Sequence, residues 1–244
     1  LNTRFNGAQV LNGSFSAKSL QVGTESGEAI SFSIANVESS KLGAFVIAGR
    51  LREAIPSTVT ATPLANGVNA NSLTLTANDI SRTIAHATGL EAKTIASRIN
   101  AVAGATQVSA EARTFAHFYG THASPSGDQV NRRISINGTQ TAAFTLTASD
   151  VSDAVQKINA ISTTTGVQAS ATSDYKILLS DHDGNDIKII NTSASTDLKV
   201  VAVGIDSITA GSTVLTVAAT GGGADSATVA GGIRLTASLG FTVT

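Results

Sequence analysis

The side chains best able to do chemistry in this chain are few. His86, His117, His122 and His182 are its four histidines. His117 and His122 stand five apart in a stretch that also carries Phe115, Phe118 and Tyr119. A helical zinc pair needs two histidines four apart around a glutamate base, and His-Glu-x-x-His is absent. Phe115, His117, Phe118, Tyr119 and His122 therefore read either as core and edge residues or as an aromatic platform for a surface ligand such as a sugar. Asp181-His-Asp183-Gly-Asn-Asp186 has the look of a calcium loop. An EF-hand loop wants glycine sixth and glutamate twelfth, whereas here glycine is fourth and Thr192 twelfth. A polar hairpin turn is the leading reading, with a cation between Asp181, Asp183 and Asp186 as its alternative. Arg132-Arg133 reads as a solvated strand edge. Gly-x-Gly-x-x-Gly, Walker and Gly-x-Ser-x-Gly patterns are absent, so the expectation is no enzyme, no cofactor and no metal site.

Composition narrows the field further. The chain has 244 residues, no Cys, no Met and no Trp, and only 14 % of it is charged, for a net charge of −1. Without cysteine there is no disulfide framework, thiol catalysis or Cys-based metal site. A charge so close to neutral leaves no electrostatic footprint for nucleic acid. Ser and Thr supply 59 residues, yet 42 % of the chain is hydrophobic, enough to bury a core. No apolar run reaches the length of a membrane helix, so no membrane partner is expected. The chain opens on Leu1-Asn-Thr-Arg-Phe5, without Met and in mid-pattern, and we read it as a piece trimmed from a longer protein.

The elements that must hold these side chains are mostly strands. Asn6-Gly7 and Asn12-Gly13 mark turns, and Ile30, Phe32 and Ile34 alternate with small residues as in a half-buried strand. Asn36 is placed to cap a short helix ending at Gly43, and a boundary is set near Pro56. Beyond it the sequence repeats. Leu73-Thr-Leu-Thr-Ala-Asn-Asp79-Ile80 matches Phe144-Thr-Leu-Thr-Ala-Ser-Asp150-Val151, and Ile99-Asn100-Ala101 matches Ile158-Asn159-Ala160. Such duplication means two copies of one small supersecondary unit. In the second copy Ile134 and Ile136 form a strand, Asn137-Gly138 turns it, and Phe144 and Leu146 return. Val151, Ala154, Val155, Ile158 and Ile161 then put one apolar stripe on a helix. Three strands follow: Val167 and Ala169, then Tyr175, Ile177 and Leu179, then Ile187 and Ile189. The first copy carries extra residues around Ile84 to Thr94, expected to split its helical region. The fold class expected is mainly β with short helices, a β-rich α+β array of small modules. Its units are 1–56, 57–130 completed by return strands in 205–244, and 131–204.

Residues 3–15, Thr-Arg-Phe-Asn-Gly-Ala-Gln-Val-Leu-Asn-Gly-Ser-Phe, followed by Leu20-Gln-Val-Gly23 and Gly27-Glu-Ala-Ile-Ser-Phe-Ser-Ile34, resemble the bacterial flagellins. Phe5, Asn6, Gly7, Gly13, Phe15, Gln21, Val22 and Gly23 carry the likeness, which covers about residues 1–43. Both repeat copies are similar to modules of flagellin variable regions. The first departs through its insertion and lacks a clear final Asp-Gly turn. The resemblance implies the β-rich end of a flagellin inner domain followed by outward-projecting variable modules. It further implies an extracellular protein of the flagellar filament, whose partners are other flagellin subunits and the flagellar export and capping machinery. A flagellin-like surface protein whose outer modules bind a polysaccharide or host surface is the alternative. Its Ser/Thr hydroxyls are O-glycan acceptors in type. Asn12, Asn137 and Asn191 sit in Asn-x-Ser/Thr acceptor patterns.

Overall fold

The computed structural model describes residues 3–5, 7–10, 18–21, 29–32, 34, 44–57, 66–120, 129–193, 197–219 and 224–244. The helix expected between Asn36 and Gly43 lies outside them, as do His122, Asn6, Gly13, Phe15, Val22 and Gly23. The described chain is β-rich with short helices, and it divides into two units, 1–45 and 46–244. In the first unit β1 (Arg4–Phe5) pairs with β2 (Ala8–Gln9), and β3 (Lys18–Gln21) pairs with β4 (Ala29–Phe32), both antiparallel. Gly7 sits at φ +80° in the first of these hairpins, a left-handed conformation that favours glycine.

The unit boundary falls one residue into β5 (Phe45–Ala48), and Pro56 lies inside β6 (Ile55–Ser57), within the second unit. The first repeat copy follows: β7 (Asn71–Ala77), β8 (Ile80–His86), α1 (Ala92–Ala101), the single turn α2 (Ala103–Thr106) and the long β9 (Val108–Gly120). The second contains β10 (Gln129–Arg132), β11 (Ile134–Ile136), β12 (Thr139–Gln140), β13 (Phe144–Leu146), α3 (Ser152–Asn159), α4 (Ser162–Thr165), β14 (Val167–Ala171), β15 (Ile177–Asp181) and β16 (Ile187–Asn191). The chain closes with β17 (Leu198–Val203), β18 (Leu215–Val217), β19 (Ser226–Val229), β20 (Gly232–Ala237) and β21 (Phe241–Val243).

The extra residues of the first copy do not split a helix; they make a strand. Asn78 and Asp79 both take positive φ, 51° and 61°, so they form the tight turn of the β7–β8 hairpin. In the second copy the matching Ser149-Asp150 starts α3 instead. There the Asp150 carboxylate accepts the Ser152 N–H at 2.8 Å, and Thr147 Oγ1 accepts the Asp150 N–H at 2.8 Å. One short motif thus has two fates. Ile80 and Ile84 follow it on a strand in one copy, and Ala154 and Ile158, at the same spacing, follow it on a helix in the other.

What the copies share is the end of the helix. Asn159 Nδ2 donates to the Ala169 carbonyl at 2.9 Å, and its Oδ1 accepts the Ala169 N–H at 2.8 Å. Asn100 makes the same pair with Ala110, at 2.9 and 2.7 Å. Each asparagine therefore fastens a helix to the strand that follows, ten residues on. The duplicated Ile-Asn-Ala is this clamp. Asn159→Ala is expected to cost about 1–2 kcal/mol, two hydrogen bonds and a freed strand amide, with Asn100→Ala similar. Urea unfolding of each single variant checks it, and values within error of wild type sink the reading.

Two sheets enclose the main core. One runs β14-β15-β9-β17-β18 and the other β12-β11-β16-β19-β6. Phe118, Ile134, Ile136, Ile177, Leu179 and Ile187, all fully buried, lie in this core with Ala154 and Ile158 of α3. Phe144 and Leu146 do not return against Ile134 and Ile136 as expected, because β13 pairs with β10 and leaves β11 to β12 and β16. A smaller core of Leu75, Ile84, Ile95, Ile99, Val108 and Leu235 lies in the first copy. The C-terminal strands enter it: β20 pairs with Val108–Arg113 of β9, and β21 pairs with β7. The remainder of β5 joins β20. Strand β9 is shared, since Thr114–Phe118 pairs with β15 and Phe115–Gly120 with β17 in the main sandwich.

Candidate functional site

Strand alternation divides the aromatic stretch. Phe118 faces the sandwich core and is fully buried, while Phe115, His117 and Tyr119 share the opposite face. Phe115 is also buried, and its ring meets His182 edge-on at 6.2 Å. Tyr119 is half-buried with the Lys176 ammonium 5.4 Å from its ring centre. His117 lies between Leu178 and Val201 of the neighbouring strands. Burial, with the nearby Lys176 charge, holds its pKa below the ordinary histidine value. Phe115, His117 and Tyr119 are thus brought together, and Phe118 is not with them.

The Asp181–Asp186 run is not a hairpin turn. β15 and β16 belong to different sheets, so this run is a corner carrying the chain from one to the other. Its three carboxylates do three separate things. Asp181 is buried, and its Oδ1 accepts the N–H groups of Asp183, Gly184 and Asn185 at 2.9, 2.9 and 3.2 Å. The Asn185 amide nitrogen adds bonds to Oδ1 at 3.2 Å and Oδ2 at 3.0 Å. Asp183 is exposed and paired with Lys93 Nζ at 2.8 Å, a contact that lowers its pKa. Asp186 is buried, and its Oδ1 accepts from Asn66 Nδ2 at 3.3 Å. Burial pushes its pKa up to about 6, against the opposing pull of the Asn66 bond. Among the described residues no group of three His, Cys, Asp or Glu is placed to hold a metal ion.

This corner is where the two copies are fastened to each other. The Lys93 N–H at the start of α1 donates to the Gly184 carbonyl at 3.1 Å, and Thr114 Oγ1 of β9 donates to the Asn185 carbonyl at 2.6 Å. Gly184 takes φ +81°, and a Cβ there would stand 2.9 Å from the Ala112 carbonyl carbon. The first copy's helix and the shared strand are therefore both tied to the second copy's final turn.

Three further side chains depart from what the sequence suggested. Arg132 is not a solvated edge: it is buried, with its pKa lowered by desolvation and the Asp197 charge opposing that shift. Asn137 and Asn191 are not free acceptors either. Asn137 Nδ2 donates to the Thr165 carbonyl at 3.0 Å, and Asn191, fully buried, donates to the Val217 carbonyl at 3.2 Å. Asn12 lies outside the described residues.

The second unit also holds a cleft of about 390 Å³ that no sequence pattern signalled. Ile95 and Ile99 of α1, Leu73 of β7, Leu235 of β20 and Val243 of β21 form its apolar walls. Arg50, Arg52, Asn66 and His86 supply its polar groups. Arg50 and Arg52 are exposed, and the Arg52 guanidinium donates to the Gly67 carbonyl. Asn66 is buried and donates to the Leu90 carbonyl at 3.1 Å as well as to Asp186. His86 Nδ1 is buried without a hydrogen-bond partner among the described residues. No helix among the described residues is long and apolar enough to cross a membrane. No family model matches the chain.

Proposed function

We propose that this chain is the outward-projecting surface region of a bacterial flagellar filament subunit, a structural part and not an enzyme. The observation that carries the reading is the flagellin-like run of residues 3–34, with its Asn6-Gly7 and Asn12-Gly13 pairs and Gln21-Val-Gly23. The duplicated modules are consistent with it. Their polar side chains are spent on holding helix to strand and sheet to sheet, as Asn100, Asn159 and Asp181 do. A subunit exported unfolded must refold outside the cell without thiol chemistry, and a chain with no cysteine suits that route. Clamps that join residues ten apart are local contacts, which form early and cheaply in folding. In this reading the Ser/Thr-rich second unit faces water and sets the thickness and surface character of the filament, with other subunits as partners.

The test is electron microscopy of the gene product that carries this chain, polymerised beside a version lacking residues 46–244. Filaments from both, thinner for the deletion, are expected. An intact product that never enters a filament, in the cell or after purification, sinks the proposal.

A further inference from the structure

We propose that the cleft between α1, β7 and the C-terminal strands binds a medium-chain aliphatic carboxylate. A volume of about 390 Å³ falls in the range of small-molecule sites, roughly 300–1,000 Å³. Much of the lining is aliphatic: Ile95, Ile99, Leu73 and Leu235 present only carbon, and among the described residues no aromatic ring lines the cleft besides His86. A sugar placed there would lose water from its hydroxyls against the aliphatic lining, with Arg50, Arg52, Asn66 and His86 as the lining side chains able to bond them among the described residues. A nucleobase would find no Phe, Tyr or Trp ring among the described lining residues to stack on. A hydrocarbon chain meets neither difficulty.

The charge of the lining selects the head group. Among the described residues its charged lining residues are Arg50 and Arg52, with no Asp or Glu. The nearby carboxylate, Asp186, is turned to Asn66, which stands between it and the cleft. Both arginines are exposed, but Arg52 is already engaged with Gly67, which leaves Arg50 the better placed of the two for an incoming anion. A carboxylate on a guanidinium forms a charge-assisted, bidentate pair, and an aliphatic tail behind it would reach the Ile95–Ile99 wall. Ammonium amphiphiles are disfavoured by the same two charges.

The test is titration of the 15N-labelled protein with hexanoate, octanoate and decanoate, each kept below its micelle concentration, and with decanol as the neutral control. Saturable shifts at Ile95, Ile99 and Leu235 are expected. Affinity should rise about fourfold per added methylene, the value for burying one CH₂, until the cleft is full. Arg50→Ala should weaken decanoate about tenfold while leaving decanol unchanged, and Arg50→Lys should restore part of the loss. Arg50 is exposed, so this variant is expected to fold. No saturable shift in the millimolar range, or shifts away from those three residues, would overturn the site. Equal binding of decanol and decanoate, unaffected by Arg50→Ala, would overturn the carboxylate assignment.

Discussion

Asp181→Ala is expected to destabilise the second unit by about 3–5 kcal/mol. Its carboxylate is buried and accepts three successive backbone N–H groups and a side-chain amide, all from the corner it closes. Alanine leaves those donors without a partner, at about 1–3 kcal/mol for each one that water does not reach. Gly184 is buried and suffers most, while Asp183 is exposed and Asn185 is half-buried, which keeps the total below the full sum. The loss should spread beyond the corner, because α1 and β9 are both bonded to it through Gly184 and Asn185. Asp181→Asn keeps one acceptor oxygen and should cost about half as much. Gly184→Ala attacks the same corner differently, forcing a side chain into φ +81° and against the Ala112 backbone. Equilibrium urea unfolding with hydrogen exchange at α1 reads all three variants. A loss for Asp181→Ala under about 1 kcal/mol, or an α1 that keeps its protection, would show that the corner does not hold the copies together.

Much of this fold was legible because its signals are local. Of the stripe Val151, Ala154, Val155, Ile158 and Ile161, the middle three lie on α3, while Val151 stands just before it and Ile161 falls between α3 and α4. Asn137-Gly138 reads as a turn and is one, with both residues at positive φ. The repeated Ile-Asn-Ala was visible as a repeat, although its purpose as a clamp needed the partner strand. Where sequence reasoning failed, a local signal had two solutions. Asn78-Asp79 can precede a helix or close a hairpin, and here the pairing of β8 along the whole of β7 makes it the hairpin. Arg132 sits in a polar neighbourhood of sequence and is nevertheless buried, a fact that only packing creates. The Asp-Gly corner was found as a turn, but its change of sheet depends on strands β9, β11, β14 and β19 from elsewhere in the chain. The cleft is the extreme case: its lining runs from Ile47 to Val243, so no window of sequence contains it. The partner that makes Asp186 unusual, Asn66, is equally remote, 120 positions away.

That remote pairing gives the second large effect. Stability should rise as pH falls from 7 towards 5, and Asp186→Asn should abolish that rise. The folded-state pKa of Asp186 is about 6, above its ordinary value of 3.8, so the folded form binds the proton more tightly than the unfolded form. Above pH 6 the fold must bury a carboxylate anion. Below it the burden is lifted progressively, and it is gone once the unfolded chain is also protonated, under about pH 3.8. Two pKa units amount to about 3 kcal/mol at neutral pH. The groups facing Asp186 are known: Glu91 pushes its pKa up, while Lys188, the Asn66 amide and the Gly231 N–H pull it down less than burial raises it. His117 works against it in the same window, because its lowered pKa makes protonation favour the unfolded chain as pH drops below 6.5. Asp174, held near 2 by Lys176 and Thr172, and the exposed Asp183 and Asp206 lose their small contributions only at more acid pH. The difference between wild type and Asp186→Asn cancels all of these. Asparagine keeps the oxygen that accepts from Asn66 but gives up an acceptor, so the net gain at pH 7 should be about 2 kcal/mol, shrinking to near zero by pH 4. Urea unfolding of both proteins at pH 7, 6, 5 and 4 measures it. Parallel stability curves would mean that Asp186 titrates as an ordinary carboxylate, and that Asn66 holds it at no expense to the fold.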